Sequence, residues 1–176
     1  ARGLPPDLKR NVISFVASPQ VISTFGDSVA SLSHGVEQLR VLKGGHSRRV
    51  TDVKFFPDGE KVVTTGSDGF AVIWSAMTGR LLVRVEHTDG HATAIAKIIQ
   101  ADVCLSGERL LTIASDRRVV IWAAQTGRAL QVLDFTHYGR HRFAKFLAGG
   151  RVVTGASYEF QDPTVIWSAE DGRVLY

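Results

Sequence analysis

The feature that most limits what this chain can fold into is an internal repeat marked by tryptophan. Trp74, Trp122 and Trp167 lie 48 and 45 residues apart, and each opens a near-identical segment: WSAMTGRLL, WAAQTGRAL and WSAEDGRVL. Ala, Gly, Arg and Leu recur at the same offsets after every Trp, and an Ile (Ile73, Ile121, Ile166) precedes each one. Chemistry repeated at a period of ~40 to 50 residues marks a supersecondary unit stacked on copies of itself. The 176 residues hold four such periods, so the length does not have to be that of one self-contained core.

Upstream of each Trp the pattern is a β-rich stretch, a turn and a second β-rich stretch: KVVTTGSDGFAVIW, RLLTIASDRRVVIW and RVVTGASYEFQDPTVIW. Short runs of Val, Ile, Leu and Thr between Pro-Asp-Gly, Ser-Gly, Gly-Gly and Thr-Gly turns read as strands, and no helical spacing competes. Around Trp74 the strands are expected at about 50–56, 61–65, 71–75 and 81–85. Four short strands per period is the pattern of a propeller blade, so the fold class is all-β, built of four-stranded antiparallel sheets.

These units resemble the blades of WD-repeat β-propellers. Gly45-His46, Phe56-Pro57-Asp58-Gly59, Ser67-Asp68-Gly69 and Ile73-Trp74 carry the likeness, which extends over residues 43 to 176. The Asp that follows Trp in that family is here Ser75, Ala123 or Ser168, and Tyr158 to Gln161 lengthen one turn and bring Asp162 a place nearer Trp167. The resemblance implies three blades at about 43–86, 87–134 and 135–176. Residues 11–42 are read as a degenerate blade, in which VISTFGDSVASLS echoes VVTTGSDGFAVIW, and residues 1–10 as a leader or closing-strand segment. Leu4-Pro5-Pro6-Asp7-Leu8 instead resembles the opening of an F-box, a helical module that competes for the same residues. WD-repeat rings close with about seven blades, so an incomplete ring is expected, completed by blades of the same longer chain or of a second copy.

The resemblance also assigns roles. In that family a His before the blade, a Ser or Thr of the second strand, the turn Asp and the Trp form a buried hydrogen-bond chain. Here the sets are His46, Thr64, Asp68 and Trp74; His91, Thr112, Asp116 and Trp122; and His141, Thr154, Asp162 and Trp167. The side-chain chemistry fits: indole only donates, ionised Asp only accepts, and hydroxyl and neutral imidazole do both.

Those roles bear on other readings of the same residues. His87 and His91, like His137 and His141, are four apart, but without a helix that spacing does not put two ligands on one face. The single Cys, Cys104, excludes a disulfide framework and a multi-Cys metal site, and is expected in the loop between the first two strands of its unit. Gly26-Asp27-Ser28 is too short to stand as a hydrolase motif, and no phosphate-binding loop, G-x-G-x-x-G or G-x-S-x-G occurs. No catalytic, cofactor-binding or metal-binding residue is therefore expected, and the chain is read as no enzyme. With 44% hydrophobic and 22% charged residues and a net charge of +4, it is not a disordered chain. No apolar run approaches the ~18 residues of a membrane span. The sole Asn, Asn11, begins no glycosylation acceptor, so a reducing cytoplasmic or nuclear setting is expected.

Loop chemistry suggests where a partner binds. In a propeller the turn between second and third strands and the loop entering each blade emerge at one end. Arg48, Arg49, Arg117, Arg118, Arg140 and Arg142 fall there, with Tyr138, Tyr158 and Phe160. Arg beside aromatic side chains is enriched at protein interfaces, and a cationic patch attracts acidic segments. The reading is a scaffold for other proteins; the alternatives are a ubiquitin-ligase substrate receptor and an RNA-associated propeller, although +4 is mild for nucleic acid.

Overall fold

The computed structural model describes residues 13–15, 21–23, 40–87, 96–135, 142–155 and 164–176. Among these residues there is no helix, and fourteen strands make four antiparallel sheets. The first sheet joins β1 (Ile13–Phe15), β2 (Val21–Ser23) and β3 (Arg40–Val41). The second is β4 (Val50–Phe55), β5 (Lys61–Gly66), β6 (Phe70–Ser75) and β7 (Leu81–Glu86). The third is β8 (Ile98–Val103), β9 (Arg109–Ala114), β10 (Arg118–Ala123) and β11 (Ala129–Asp134). The fourth is β12 (Phe143–Leu147), β13 (Arg151–Gly155) and β14 (Val165–Ser168), beside which Val174 bridges to Trp167.

The last three sheets are meanders, each strand pairing with the next in the chain. The first runs β2-β1-β3, out of chain order, so its described strands do not repeat the blade meander. They are nonetheless strands where the F-box likeness would place helices.

Successive side chains of a strand point to opposite faces, and here both faces are apolar because a sheet lies on each side. Val62 and Val63 are neighbours in β5 yet belong to different cores, as do Leu110 and Leu111 in β9. Val63 and Ile73 pack with Leu110, Val120 and Trp122 between the second and third sheets. Leu111, Ile121 and Leu133 pack with Val152 and Trp167 between the third and fourth. Trp122 and Trp167 thus face the preceding sheet, and burying a large side chain in such a seam is worth roughly 1.5 to 3 kcal/mol.

Inner strands β4, β8 and β12 lie side by side and are tied together by side chains. The Thr51 hydroxyl donates to the Ile98 carbonyl at 2.8 Å, and Asp52 Oδ2 accepts the Ala101 N–H at 3.0 Å. One blade further on, Asp102 accepts the Phe146 N–H at 2.8 Å and pairs with Lys54. Burial raises the Asp52 carboxyl above its ordinary pKa against the N–H bonds of Ala101 and Val53. Among the described residues the sheets form an unclosed arc.

The residues that recur after each Trp now have physical reasons. The Ala N–H groups of Ala76, Ala124 and Ala169 bond the turn carbonyls of Glu60, Glu108 and Gly150, each at 2.8 Å. Gly79, Gly127 and Gly172 all have φ near +70°, where glycine alone is unstrained. Gly127 also abuts the preceding blade: a Cβ there would stand 2.9 Å from Val83 Cγ1 and 3.0 Å from Val85 Cγ1. The repeated Leu is a bulge residue, since the register slips at Trp74 and Trp122 and leaves Leu82 and Leu130 unpaired and exposed.

Candidate functional site

Two kinds of site residue were expected, the buried hydrogen-bond sets and the basic loops. In the second sheet the set is complete. Trp74 Nε1 donates to Thr64 Oγ1 at 2.9 Å, Thr64 Oγ1 lies 2.7 Å from His46 Nε2, and His46 Nδ1 lies 3.1 Å from Asp68 Oδ1. Indole can only donate, so the hydroxyl must pass its proton to Nε2, and the imidazole carries its own on Nδ1, aimed at the carboxylate. Asp68 also accepts the Ser47 N–H at 2.7 Å. Burial pushes the Asp68 carboxyl up, but the His46 and Ser47 bonds outweigh it and hold the group below its ordinary pKa.

The third sheet corrects the sequence reading. The imidazole in its set is that of His87, with Nδ1 3.0 Å from Thr112 Oγ1 and Nε2 3.3 Å from Asp116 Oδ1, while Trp122 Nε1 donates to Thr112 at 2.9 Å. His91, expected in that role, lies outside the described residues. The reason is where the chain delivers the ring. His87 directly follows β7, and its N–H donates to the Gly69 carbonyl at 2.9 Å, which places it over Thr112 without a preceding Gly. The imidazole also uses the opposite nitrogens from His46, and its contact with Asp116 is the longer and less well aimed. Asp116 feels the same opposition, burial raising its pKa and His87 and Arg118 together lowering it further.

In the fourth sheet Trp167 Nε1 donates to Thr154 Oγ1 at 2.9 Å; His141 and Asp162 lie outside the described residues. The described members of the sets are turned toward one another, which makes them framework, and among them the His87 Nε2 contact with Asp116 alone falls short of a hydrogen bond. Among the described residues no three His, Cys, Asp or Glu side chains come together as a metal site.

The basic loops do converge. A groove of about 900 Å³ opens at the end where the Asp turns emerge, lined by Arg49, Lys97, Arg117 and Arg142 with Ser67 and Ser115 among its other walls. These cations come from three sheets. Arg49 enters β4, its carbonyl accepting the Ser67 N–H at 2.8 Å; Lys97 enters β8 and accepts from Ser115 at 2.9 Å; Arg142 enters β12. Arg117 sits in the turn between β9 and β10. No carboxylate is among the described lining residues, and none of the described ion pairs involves Lys97, Arg117 or Arg142.

Of the other candidates, Arg118 turns to Asp116 with Nε 3.2 Å from Oδ2, and Arg48 is exposed but does not line the groove. Tyr138, Arg140, Tyr158 and Phe160 lie outside the described residues. Lys97 was missed, though the signal was present: it stands 48 residues after Arg49, one repeat further on.

The opposite end carries a smaller cleft of about 550 Å³ between the third and fourth sheets, with Asp102, Glu108, Arg109 and Glu170 among its lining residues. Cys104 lies there, in the turn between β8 and β9 as expected, and is half-buried. Burial raises its thiol pKa, but the Ser106 hydroxyl and the Arg109 N–H, 3.3 and 3.2 Å from Sγ, tip the balance downward.

Comparison with known proteins agrees with this geometry. A family model described as WD domain, G-beta repeat, matches residues 36–75. The chain is similar to the solved structure of U3-55K, with a TM-score of 0.62 at 19% identity over 78% of this chain and 41% of that one. The WD40 repeats of RRP9 give the same TM-score and identity, over 78% of this chain and 40% of that one. The chain therefore spans well under half the length of these structures, and at such identity the likeness is one of fold. No curated protein sequence matches the chain.

Proposed function

We propose, from the premise that these sheets are WD-repeat propeller blades, that the chain is a non-catalytic scaffold that holds other proteins, and that its basic groove receives an acidic segment of a partner. The observation that carries this is the convergence of Arg49, Lys97, Arg117 and Arg142 from three sheets onto one groove whose described lining has no carboxylate. Like charges brought together repel one another, whereas an anionic ligand is drawn to them. The described members of the sets face one another inside the sheets rather than a cleft, which supports a binding role over a chemical one.

Single-stranded RNA is the weaker occupant. Sequence-tolerant RNA grooves interleave cations with aromatic platforms, and none of the groove's described lining residues is aromatic. The substrate-receptor alternative draws its support from residues 4 to 8, outside the described residues, and β1 and β2 are strands.

The test is affinity capture from a lysate of the chain's source with the chain as bait, beside an Arg49→Glu, Arg142→Glu variant. The scaffold reading expects acidic-segment proteins to be retained by the parent and lost from the variant. Retention unaffected by the double reversal overturns the groove as the docking face.

A further inference from the structure

The turn that links β9 to β10 holds a residue type that its backbone conformation disfavours. Arg117 has φ of 64° and is the one non-glycine among the described residues with positive φ. In the preceding blade the same place, directly after the turn Asp, belongs to Gly69 with φ of 83°. A side chain in this region crowds its own backbone, and such strain persists where something else requires the residue.

Nothing in the turn itself requires arginine. The Arg117 N–H donates to the Ala114 carbonyl at 3.3 Å and its carbonyl accepts from the Phe135 N–H at 3.4 Å, contacts that glycine would make as well. The adjacent carboxylate does not hold the guanidinium either, since Asp116 faces His87 on one oxygen and Arg118 on the other. The exposed Arg117 side chain instead lines the groove with Arg49, Lys97 and Arg142.

We infer that Arg117 is the anchor of the groove, a guanidinium kept at a glycine position in order to clasp a carboxylate of an acidic peptide segment. This rests on the docking reading above and names the residue that sets its affinity. The planar fork of guanidinium matches a carboxylate through two parallel N–H bonds, which an ammonium cannot reproduce.

The experiment measures binding of a fluorescein-labelled deca-glutamate peptide by anisotropy, together with Tm, for the 176-residue chain and its Arg117→Gly, Arg117→Asn and Arg117→Lys variants. Asn tolerates left-handed backbone and controls for the chain entropy that glycine adds. The Gly and Asn variants are expected to bind about tenfold more weakly with a Tm no lower than the parent's and up to about 4 °C higher. Lys is expected to recover only part of the affinity. Equal binding by parent and Gly variant overturns the anchor while leaving the groove standing; a fall in Tm in both Gly and Asn variants makes Arg117 a folding residue and also overturns it. No binding by the parent overturns the docking reading and the anchor with it.

Discussion

Trp167 donates its indole N–H at 2.9 Å to Thr154, thirteen positions earlier in the sequence, three more than separate the corresponding pairs in the second and third sheets. The bond survives because strand register, not turn length, sets it. Val152 faces Trp167 as Leu110 faces Trp122 and Val62 faces Trp74. The extra residues fall between β13 and β14, outside the paired stretch, and the hydroxyl two places along the middle strand still meets the ring.

In the second and third sheets that hydroxyl is the hinge of the set, since it accepts from Trp and donates to His. Replacing Thr112 by the isosteric Val removes it without opening a cavity and leaves the Trp122 N–H and His87 Nδ1 buried without that partner. The expected cost is about 2 to 6 kcal/mol in urea unfolding, from two buried polar groups at ~1 to 3 each. A cost under about 0.5 kcal/mol would show that the set contributes nothing to stability.

The exchange of His91 for His87 can be settled by substitution. His87→Ala is expected to destabilise the chain by about 2 kcal/mol, comparable to His46→Ala, because each strips a Thr hydroxyl and an Asp carboxylate of a shared partner. His91→Ala is expected to stay within about 0.5 kcal/mol of the parent. The reverse order in unfolding midpoints would restore the Gly-His reading.

How much was legible in the sequence follows from what each feature depends on. The blades were readable because β-strand alternation and turn chemistry are local, and the expected strands at 50–56, 61–65, 71–75 and 81–85 fall within about a residue of β4 to β7. Each Trp–Thr pair, and the Asp of the second and third sheets, was readable for the same reason, since strand register brings them together. The His was readable in the second sheet but not in the third, because it arrives ahead of the sheet on a connection rather than on a paired strand, so Gly90-His91 looked right while His87 occupies the place. The groove was half legible. Loop position foretold Arg49, Arg117 and Arg142, but Arg118 one residue on faces the opposite way, toward Asp116. Nothing local marked Asp52 and Asp102, whose partners lie on the next blade, 49 and 44 residues away.

Gly127 serves two geometrical needs at once, a left-handed φ and contact with the Val83 and Val85 methyl groups. Gly127→Ala is therefore expected to cost about 1 to 3 kcal/mol, from backbone strain together with displacement of the neighbouring outer strand. Gly59→Ala provides the comparison, since its φ is +70° with nothing within 4 Å of the added Cβ. Strain alone should then account for the smaller loss, and equal losses in thermal unfolding would remove the interblade contact from the explanation.

The carboxyls of the sets predict how stability responds to acid. Asp68 and Asp116 titrate below their ordinary 3.8 in the folded chain, so the unfolded chain takes up protons first as pH falls. Their contribution is fully present above about pH 5 and declines as pH drops through 3.8 toward the lower folded values. Asp52 acts in the opposite sense. Its folded pKa is raised by burial, so its contribution favours the folded state at low pH and is lost as pH rises from 3.8 through the folded value. The acid arm of a stability profile should therefore steepen in Asp52→Asn and flatten in Asp68→Asn, compared by urea midpoint between pH 3 and 7. Parallel profiles for all three proteins would show that these carboxyls are not what couples this fold to protons.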